Sequence, residues 1–129
     1  MLMDHQERTK EMIKEVDRAL MRYVERGKHE KLIRAMRHYP EAGGKRMRPV
    51  MAMLVAEAVG KRGKEALSFG CSLELIHNFT LVHDDVIDKD PVRRGRPAVH
   101  IAFDEPTAII AGDALFAIAY DVLATTDVD

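Results

Sequence analysis

Three aspartates in one short string are the clearest candidates for chemistry in this sequence. They stand in Asp84-Asp85-Val86-Ile87-Asp88. On a helix, positions 84 and 88 lie one above the other, about 6 Å apart at Cβ, with position 85 on the adjoining edge. Mg²⁺ prefers carboxylate oxygens and commonly bridges them to a substrate phosphate. We therefore expect the three carboxylates to converge on Mg²⁺, although this string alone is also compatible with a solvated helix end.

A basic loop precedes a predicted helix start at residues 43–49, which read Gly-Gly-Lys-Arg-Met-Arg-Pro. The two glycines let the backbone approach a ligand closely, and a helix start presents free N–H groups to an anion. The side chains of Lys45, Arg46 and Arg48 add donors suited to phosphate oxygens. The loop therefore predicts a phosphate site, although turns of this composition are also common as plain solvated loops.

Further basic and imidazole side chains flank the aspartates. Arg93 and Arg94 follow them in a loop, where a solubilising turn is the alternative. His77 lies seven residues before Asp84, which puts both residues on one helical face, so His77 is expected to point toward the same cavity. His83 is the weaker candidate, as a partner of the carboxylates rather than a ligand. A helical histidine is also often purely structural.

The apolar pattern predicts helices as the elements that position these side chains. Apolar residues recur at three- and four-residue steps from Glu7 to Arg26. Further helices are expected at about Glu30 to Tyr39, Pro49 to Val59, about Lys64 to Asp88, and about Thr107 to Thr125. No segment alternates polar and apolar residues as a strand would. We expect an all-α fold, a bundle of about five helices that forms a single domain over residues 1–129.

Composition argues against several classes of partner. Lys and Arg number 20 and Asp and Glu number 21, so the net charge of −1 gives no global field for nucleic acid or an anionic membrane. The single cysteine, Cys71, cannot form an internal disulfide, and no secretory leader is evident, so we expect a cytoplasmic protein. The apolar stretch from Ala108 to Ala124 contains two aspartates and is shorter than the roughly 20 residues that span a bilayer. No membrane span is expected.

Five strings in this order and spacing resemble the first half of the trans-prenyl diphosphate synthases, which include the farnesyl and geranylgeranyl enzymes. The strings are Gly-Gly-Lys-Arg-Met-Arg-Pro at 43–49, Leu-Glu-Leu-Ile-His at 73–77, His-Asp-Asp-Val-Ile-Asp at 83–88, Arg-Arg-Gly at 93–95 and Ala-Gly-Asp-Ala-Leu at 111–115. Each string alone is weak, but the five in sequence are highly specific. The resemblance covers almost all of the chain and implies the first half of the isoprenoid synthase fold.

The resemblance implies roles for individual residues. The diphosphate of isopentenyl diphosphate would be bound by Lys45, Arg48, His77 and Arg94. The allylic diphosphate would contact Arg93 and a Mg²⁺ ion held by Asp84 and Asp88, with Asp85 close by. The implied reaction is chain elongation to a short prenyl diphosphate of the farnesyl or geranylgeranyl type, in isoprenoid biosynthesis.

Two further features follow from the resemblance. A bulky residue at Phe79, five residues before Asp84, would limit the length of the product, although Phe79 is equally suited to a plain core position. The last predicted helix is apolar nearly all round, so it must be buried or form an interface. In the family, this region helps to make a homodimer.

The chain lacks the family's second Asp-rich motif, since the carboxylates after Asp88 do not repeat its spacing. We therefore expect little or no elongation by this chain alone. It would be either the N-terminal part of a longer enzyme or one chain of a pair, with the C-terminal half on a separate chain. A non-catalytic half-subunit that helps a partner to assemble is the main alternative.

Two other enzyme classes explain the sequence less well. His83 and Asp84 could form the metal-binding pair of an HD-type phosphohydrolase, but His77 is too close on the same helix to be its second histidine. A terpene cyclase also uses a DDxxD string. However, a cyclase has no second diphosphate substrate to explain Lys45, Arg48 and His77 together.

Overall fold

The fold is all-α, as predicted, and the computed structural model describes residues 4–126. The helices are α1 (His5–Val24), α2 (Glu30–Glu41), α3 (Met47–Ala58), a 3₁₀ helix (Gly63–Ala66), α4 (Leu67–Asp88), α5 (Val99–Ala102) and α6 (Glu105–Ala124). A small antiparallel hairpin, β1 (Val92–Arg93) and β2 (Arg96–Pro97), lies between α4 and α5.

Helix α4 lies at the centre of the bundle. It packs along α6 on one side and along α3 on another, and α1 and α2 close the remaining sides against α4 and α6. Cys71, Leu75 and Val82 of α4 are fully or almost fully buried. A Cβ on Gly70 would come within 2.7 Å of the Pro49 backbone, so the glycine permits the close approach of α3 to α4.

Local capping explains where the outer helices begin. The Asp4 carboxylate accepts a hydrogen bond from the backbone N–H of Gln6 at the start of α1. The Asp104 carboxylate accepts one from Thr107 N–H at 2.7 Å at the start of α6. Lys31 pairs with the same Asp104 side chain at 2.8 Å, which ties α2 to the beginning of α6.

The predicted helix boundaries differ from the structure by one to three residues; α1, for example, runs from His5 to Val24 rather than from Glu7 to Arg26. Helix α2 continues for one residue beyond Pro40, and α3 begins at Met47 rather than at Pro49. The long helix predicted to start at Lys64 is a 3₁₀ turn followed by α4 from Leu67. Tight 3₁₀ turns are frequent at helix starts, and apolar periodicity does not distinguish them from the helix that follows.

The expectation of no strands is wrong at the hairpin. Its two strands are two residues each, too short to show alternation in the sequence. The turn residues Arg94 and Gly95 have φ of 53° and 74°, the combination that two-residue hairpin loops require.

Helix α6 is longer than the predicted apolar stretch. It runs for 20 residues and meets the length and hydropathy criteria for a membrane span, with a mean hydropathy of 1.6. The core helices of other folds meet the same criteria. Here one face of α6 is buried against the bundle, through Ala108, Ala111, Leu115, Ala119 and Val122.

Candidate functional site

Four of the predicted anion-binding side chains meet at one groove. The groove has a volume of about 390 Å³ and is lined by Ala42, Gly44, Lys45, Arg46, Met47, Arg48, Glu74, His77 and Arg94. The start of α3 forms one side, α4 forms the wall, and the hairpin brings Arg94 from a distant part of the sequence. Lys45, Arg48, His77 and Arg94 are therefore neighbours in space, as the sequence predicts.

The loop before α3 is shaped by left-handed backbone. Gly43, Gly44 and Arg46 have φ of 97°, 138° and 51°. A Cβ on Gly44 would lie 3.1 Å from the Arg94 guanidinium and 3.2 Å from that of Arg46, so the glycine leaves room for both. Helix α3 has no side-chain cap at its first turn, which leaves backbone N–H groups available to an anion at the groove.

Arg46 has a different role from the one its neighbours in the sequence suggest. Its side chain is 2% exposed, whereas Lys45 and Arg48 are exposed. The guanidinium donates to Asp17 Oδ1 at 2.7 Å and to the Pro40 carbonyl at 2.6 Å. Arg46 therefore fixes the loop from beneath, and Lys45 and Arg48 supply the accessible charge.

His77 lies in the groove as a largely neutral imidazole. Burial lowers its pKa below the usual 6.5, and the charge of Arg48 lowers it further. An anion in the groove would offset the surrounding positive charge and favour the protonated form. His77 is therefore suited to hydrogen-bond a phosphate oxygen and to gain a proton when the anion binds.

Asp85 is enclosed by donors from two other elements. It is fully buried, and Arg93 donates to both of its oxygens, at 2.7 and 2.9 Å. The Tyr39 hydroxyl also donates to Asp85 and accepts from Val99 N–H at 3.2 Å. Burial by itself raises the pKa of Asp85, but the hydrogen bonds from Arg93 and Tyr39 outweigh it and hold the pKa below 3.8. This contact links α2, α4, the hairpin and α5.

The expected convergence of three carboxylates is therefore not observed. No group of three metal-ligating side chains lies close enough together among residues 4–126 to hold an ion. The reason is that Asp85 faces Arg93 inside the protein. Asp84 and Asp88 are exposed, one turn apart, in the last turn of α4. Two accessible carboxylates remain where the sequence predicts three.

Arg93 and Arg94 are adjacent in the sequence, but their side chains point in different directions. Arg93 is held by Asp85, so in this structure it is committed to an internal ion pair. Arg94 donates to the Tyr39 carbonyl at 2.9 Å and lines the groove. The positive φ of Arg94 makes this divergence possible, because it turns the chain between the two side chains.

Comparison with known proteins identifies the family. Residues 29–128 match the polyprenyl synthetase family. The chain belongs to the polyprenyl synthetase family. It is 46% identical over 118 residues to a geranylgeranyl pyrophosphate synthase from Geoglobus acetivorans. The alignment covers 92% of this chain and 37% of that protein. It is 42% identical over 127 residues to a geranylgeranyl diphosphate synthase from Methanosarcina mazei, covering 98% and 39% of the two chains.

The structural comparison agrees. A solved structure described as a geranylgeranyl pyrophosphate synthetase from Geoglobus acetivorans superposes with a TM-score of 0.89 at 45% identity. The match covers 94% of this chain and 40% of that chain. The chain thus spans about two fifths of the length of these relatives.

Phe79 faces α6 rather than the anion groove. Its ring lies 4.8 Å from the His83 ring and 5.1 Å from the Phe116 ring, both edge-on. Phe116 in turn contacts Tyr120, with a centroid distance of 4.8 Å. These aromatic rings form a continuous strip between α4 and α6.

His83 is turned toward α6 as well. Its Nε2 lies 3.0 Å from the Ile109 carbonyl and 3.6 Å from Asp113. A Cβ on Gly112 would lie 2.3 Å from the His83 ring, so the glycine makes space for it. This orientation takes the His83 imidazole away from Asp84 and disfavours the HD-type arrangement.

The sequence pattern does not reveal two further residues that shape the site. Tyr39 fixes Asp85, and Glu74 lines the groove from α4. Nothing local in the sequence marks Tyr39, because its partner is 46 residues away. Glu74 stands three residues before His77, which predicts a shared helical face and was a usable signal.

Proposed function

We propose that this chain is the N-terminal, diphosphate-binding part of a Mg²⁺-dependent prenyl diphosphate synthase of isoprenoid biosynthesis, active in the cytoplasm. The enzyme condenses isopentenyl diphosphate with an allylic diphosphate and releases a short prenyl diphosphate of the farnesyl or geranylgeranyl type. One observation carries the proposal: four side chains suited to phosphate line a single groove against the helix that ends in Asp84 and Asp88. The names of the similar synthases support this substrate class.

Isopentenyl diphosphate is proposed to bind in the groove. Lys45 and Arg48 provide exposed positive charge, Arg94 provides a forked donor from the hairpin, and His77 provides an imidazole at the wall. The α3 start adds backbone donors. Together these groups bind a diphosphate and hold its carbon chain in a fixed direction.

Asp84 and Asp88 fit a Mg²⁺ ion by the chemistry of their donors. Both offer hard carboxylate oxygens, both are accessible, and they lie one helical turn apart. Mg²⁺ is commonly bound through one or two carboxylates together with substrate phosphates. When bound, the ion would neutralise charge on the departing pyrophosphate. Asp85 is proposed to support the site indirectly, by holding Arg93.

The protein's share of the reaction is to bind, orient and neutralise. In the condensation, the C–O bond of the allylic diphosphate breaks, a C–C bond to isopentenyl diphosphate forms, and a proton leaves. His77 and Asp84 are seven residues apart on α4, about 10 Å along the axis. This spacing allows one diphosphate at the groove and another at the aspartates, with their carbon chains meeting between them. Arg93 reaches the second diphosphate only if its pair with Asp85 loosens.

Calorimetric titration tests the metal assignment. Pyrophosphate is titrated into the chain with and without Mg²⁺, and into Asp84→Ala and Asp88→Ala. We expect Mg²⁺ to strengthen the binding of pyrophosphate to the unmodified chain and to have no such effect in either variant. Asp90→Ala is the matched control, because Asp90 is also an exposed carboxylate just beyond the helix. An equal Mg²⁺ effect in all four proteins removes the metal assignment.

Catalysis is tested by adding the missing part. Isopentenyl and allylic diphosphates with Mg²⁺ are supplied to this chain alone and then to this chain with a C-terminal half from the same source. We expect product only in the mixture. Elongation by the chain alone contradicts the incompleteness proposed here, and none in the mixture favours a non-catalytic half-subunit. Exposed apolar side chains on α3 and α6 are the observation that supports an assembly partner.

Phe79 is proposed to limit product length through the aromatic strip. Its ring and that of Phe116 lie edge-on between α4 and α6, and Phe79 stands five residues before Asp84 on α4. In the reconstituted enzyme, Phe79→Ala is expected to shift the product toward longer chains. An unchanged product length, measured by mass spectrometry, assigns Phe79 to the core alone.

A further inference from the structure

Glu74 is an unexplained carboxylate in a groove built for anions. Among the described residues that line the groove, Glu74 alone is acidic. Its side chain is 3% exposed, and its Oε2 atom has no hydrogen-bond partner. A buried carboxylate oxygen without a partner is costly to the fold, so its retention requires an explanation.

The contacts of Glu74 connect two guanidinium groups. Its Oε1 accepts from Arg46 Nη1 at 3.5 Å. Arg46 and Arg94 both approach the same point beside Gly44, which makes these two positive groups close neighbours. The charge of Arg46 lowers the pKa of Arg94, after burial itself, and the charge of Glu74 raises it. Glu74 therefore offsets a repulsion that would otherwise push Arg94 away from the groove.

We propose that Glu74 is a positioning residue, which holds Arg46 and Arg94 side by side so that Arg94 faces the bound diphosphate. The free Oε2 is the acceptor available when Arg94 adjusts to a ligand. This inference rests on the proposed function, since it assigns a role within the same anion groove. Glu74 acts through the arginines and does not itself contact the anion.

The direction of the change in pyrophosphate affinity distinguishes a positioning role of Glu74 from an effect of its charge alone. Glu74→Gln makes the groove more positive by one unit, so an effect of charge alone predicts tighter binding of inorganic pyrophosphate. Positioning predicts the opposite, with binding weaker by about tenfold, the effect of losing one or two hydrogen bonds to a charged group. Glu74→Asp keeps the charge but withdraws it by one methylene group, so it is also expected to weaken binding.

Asp90→Asn is the matched control. It likewise removes one negative charge, but Asp90 is exposed and lies outside the groove. We expect its pyrophosphate affinity to stay close to that of the unmodified chain. Thermal unfolding of every variant shows whether an altered affinity reflects a damaged fold, and Glu74→Asp serves if Glu74→Gln does not fold.

The His77 imidazole gives a second readout, which reports whether the charge of Glu74 acts within the groove. Arg48, Glu74, Arg94 and Arg93 are the charged groups that act on it, and Glu74 alone among them raises its pKa. In an NMR titration, Glu74→Gln is therefore expected to lower the His77 pKa and Asp90→Asn to leave it unchanged.

The outcomes separate this inference from the proposed function. Binding of pyrophosphate by the unmodified chain, and its loss in Arg48→Ala, would support the groove as the anion site. If Glu74→Gln or Glu74→Asp then binds pyrophosphate as tightly as the unmodified chain or tighter, the role of Glu74 is overturned. If the unmodified chain does not bind pyrophosphate, both the groove assignment and the role of Glu74 are overturned.

Discussion

Asp85 carries a charge inside the protein because donors surround it. Two hydrogen bonds come from Arg93 and one from Tyr39. Burial and the hydrogen bond to Asp85 raise the pKa of Tyr39 far above 10, so its hydroxyl remains a donor. The three aspartates therefore have different environments. Asp85 joins α4 to the hairpin, whereas Asp84 and Asp88 remain accessible to solvent.

Replacement of Asp85 is expected to cost the fold about 2 kcal/mol, because Asp85→Asn leaves the partly buried Arg93 guanidinium without its charged partner. Urea denaturation measures the loss. Asp84→Asn, one position away but exposed, is the control and should change stability by less than about 0.5 kcal/mol. Equal effects of the two substitutions would show that the internal ion pair is not important for stability.

The same pair predicts a dependence on pH. The folded-state pKa of Asp85 lies below the ordinary 3.8, so its contribution to stability is complete above about pH 3.8. It is lost as the pH falls through the lower folded-state pKa. The stability difference between the unmodified chain and Asp85→Asn should therefore shrink below pH 3.8. A difference that stays constant into that range would contradict the depressed pKa.

His77 predicts how anion binding depends on pH. Its pKa lies below 6.5 in the free chain, and an anion beside it favours the protonated form. Affinity for sulfate, which does not titrate here, should therefore rise as the pH falls from 7 through the His77 pKa. His77→Gln should lack this increase. NMR titration of the imidazole checks the free pKa directly, and a value above 6.5 would contradict the burial of His77 at the groove wall.

At the level of elements, the groove depends on the close approach of α3 and α4. Gly70 of α4 faces the backbone of Pro49 in α3, so the distance between the helices is set by the absence of a side chain. Since Lys45 and Arg48 stand at the start of α3 and His77 stands on α4, this packing also fixes the groove.

Gly70→Ala is expected to destabilise the chain, because a Cβ would lie 2.7 Å from a backbone atom that cannot move aside easily. We expect a loss of about 1–3 kcal/mol, typical of overpacking, measured by thermal unfolding. Gly27→Ala is the control: its Cβ would meet Ile33 at an ordinary 3.9 Å. A Gly70→Ala variant as stable as Gly27→Ala would show that α3 and α4 can separate without cost.

Helix existence could be predicted from sequence at this scale, and the contacts between elements could not. Apolar periodicity predicts the helices around Val16, Leu75 and Leu115 because each has a side facing the core. The pairing of Asp85 with Arg93 and Tyr39 depends on how α2, α4 and the hairpin meet. No spacing in the sequence indicates this contact, so the burial of Asp85 against Arg93 could not be predicted. The hairpin was missed because two-residue strands have no period.

For the molecule as a whole, the described residues expose apolar side chains on two faces. One is a stripe on α3, with Met47, Met51, Leu54, Val55 and Val59. The other is the flank of α6 that carries the aromatic strip, with Ile109, Phe116, Tyr120 and Leu123. The relatives are about two and a half times as long, so they contain further protein that could cover one face. The family resemblance implies self-association through α6, which stays a prediction for this chain.

Self-association is therefore expected to depend on α6 and not on α3. Positions 109, 116, 120 and 123 form one stripe about 21 Å long, enough to pack against its copy across a two-fold axis. Ile109→Lys with Tyr120→Lys places two charges in that stripe, and light scattering should then report a monomer where the unmodified chain is a dimer. Met51→Lys with Val55→Lys, equally exposed on α3, is the control and should leave the dimer intact. A monomeric unmodified chain would contradict self-association. A dimer that is lost only in the α3 variant would place the interface on α3, because an added charge disrupts association only where the apolar surface is covered.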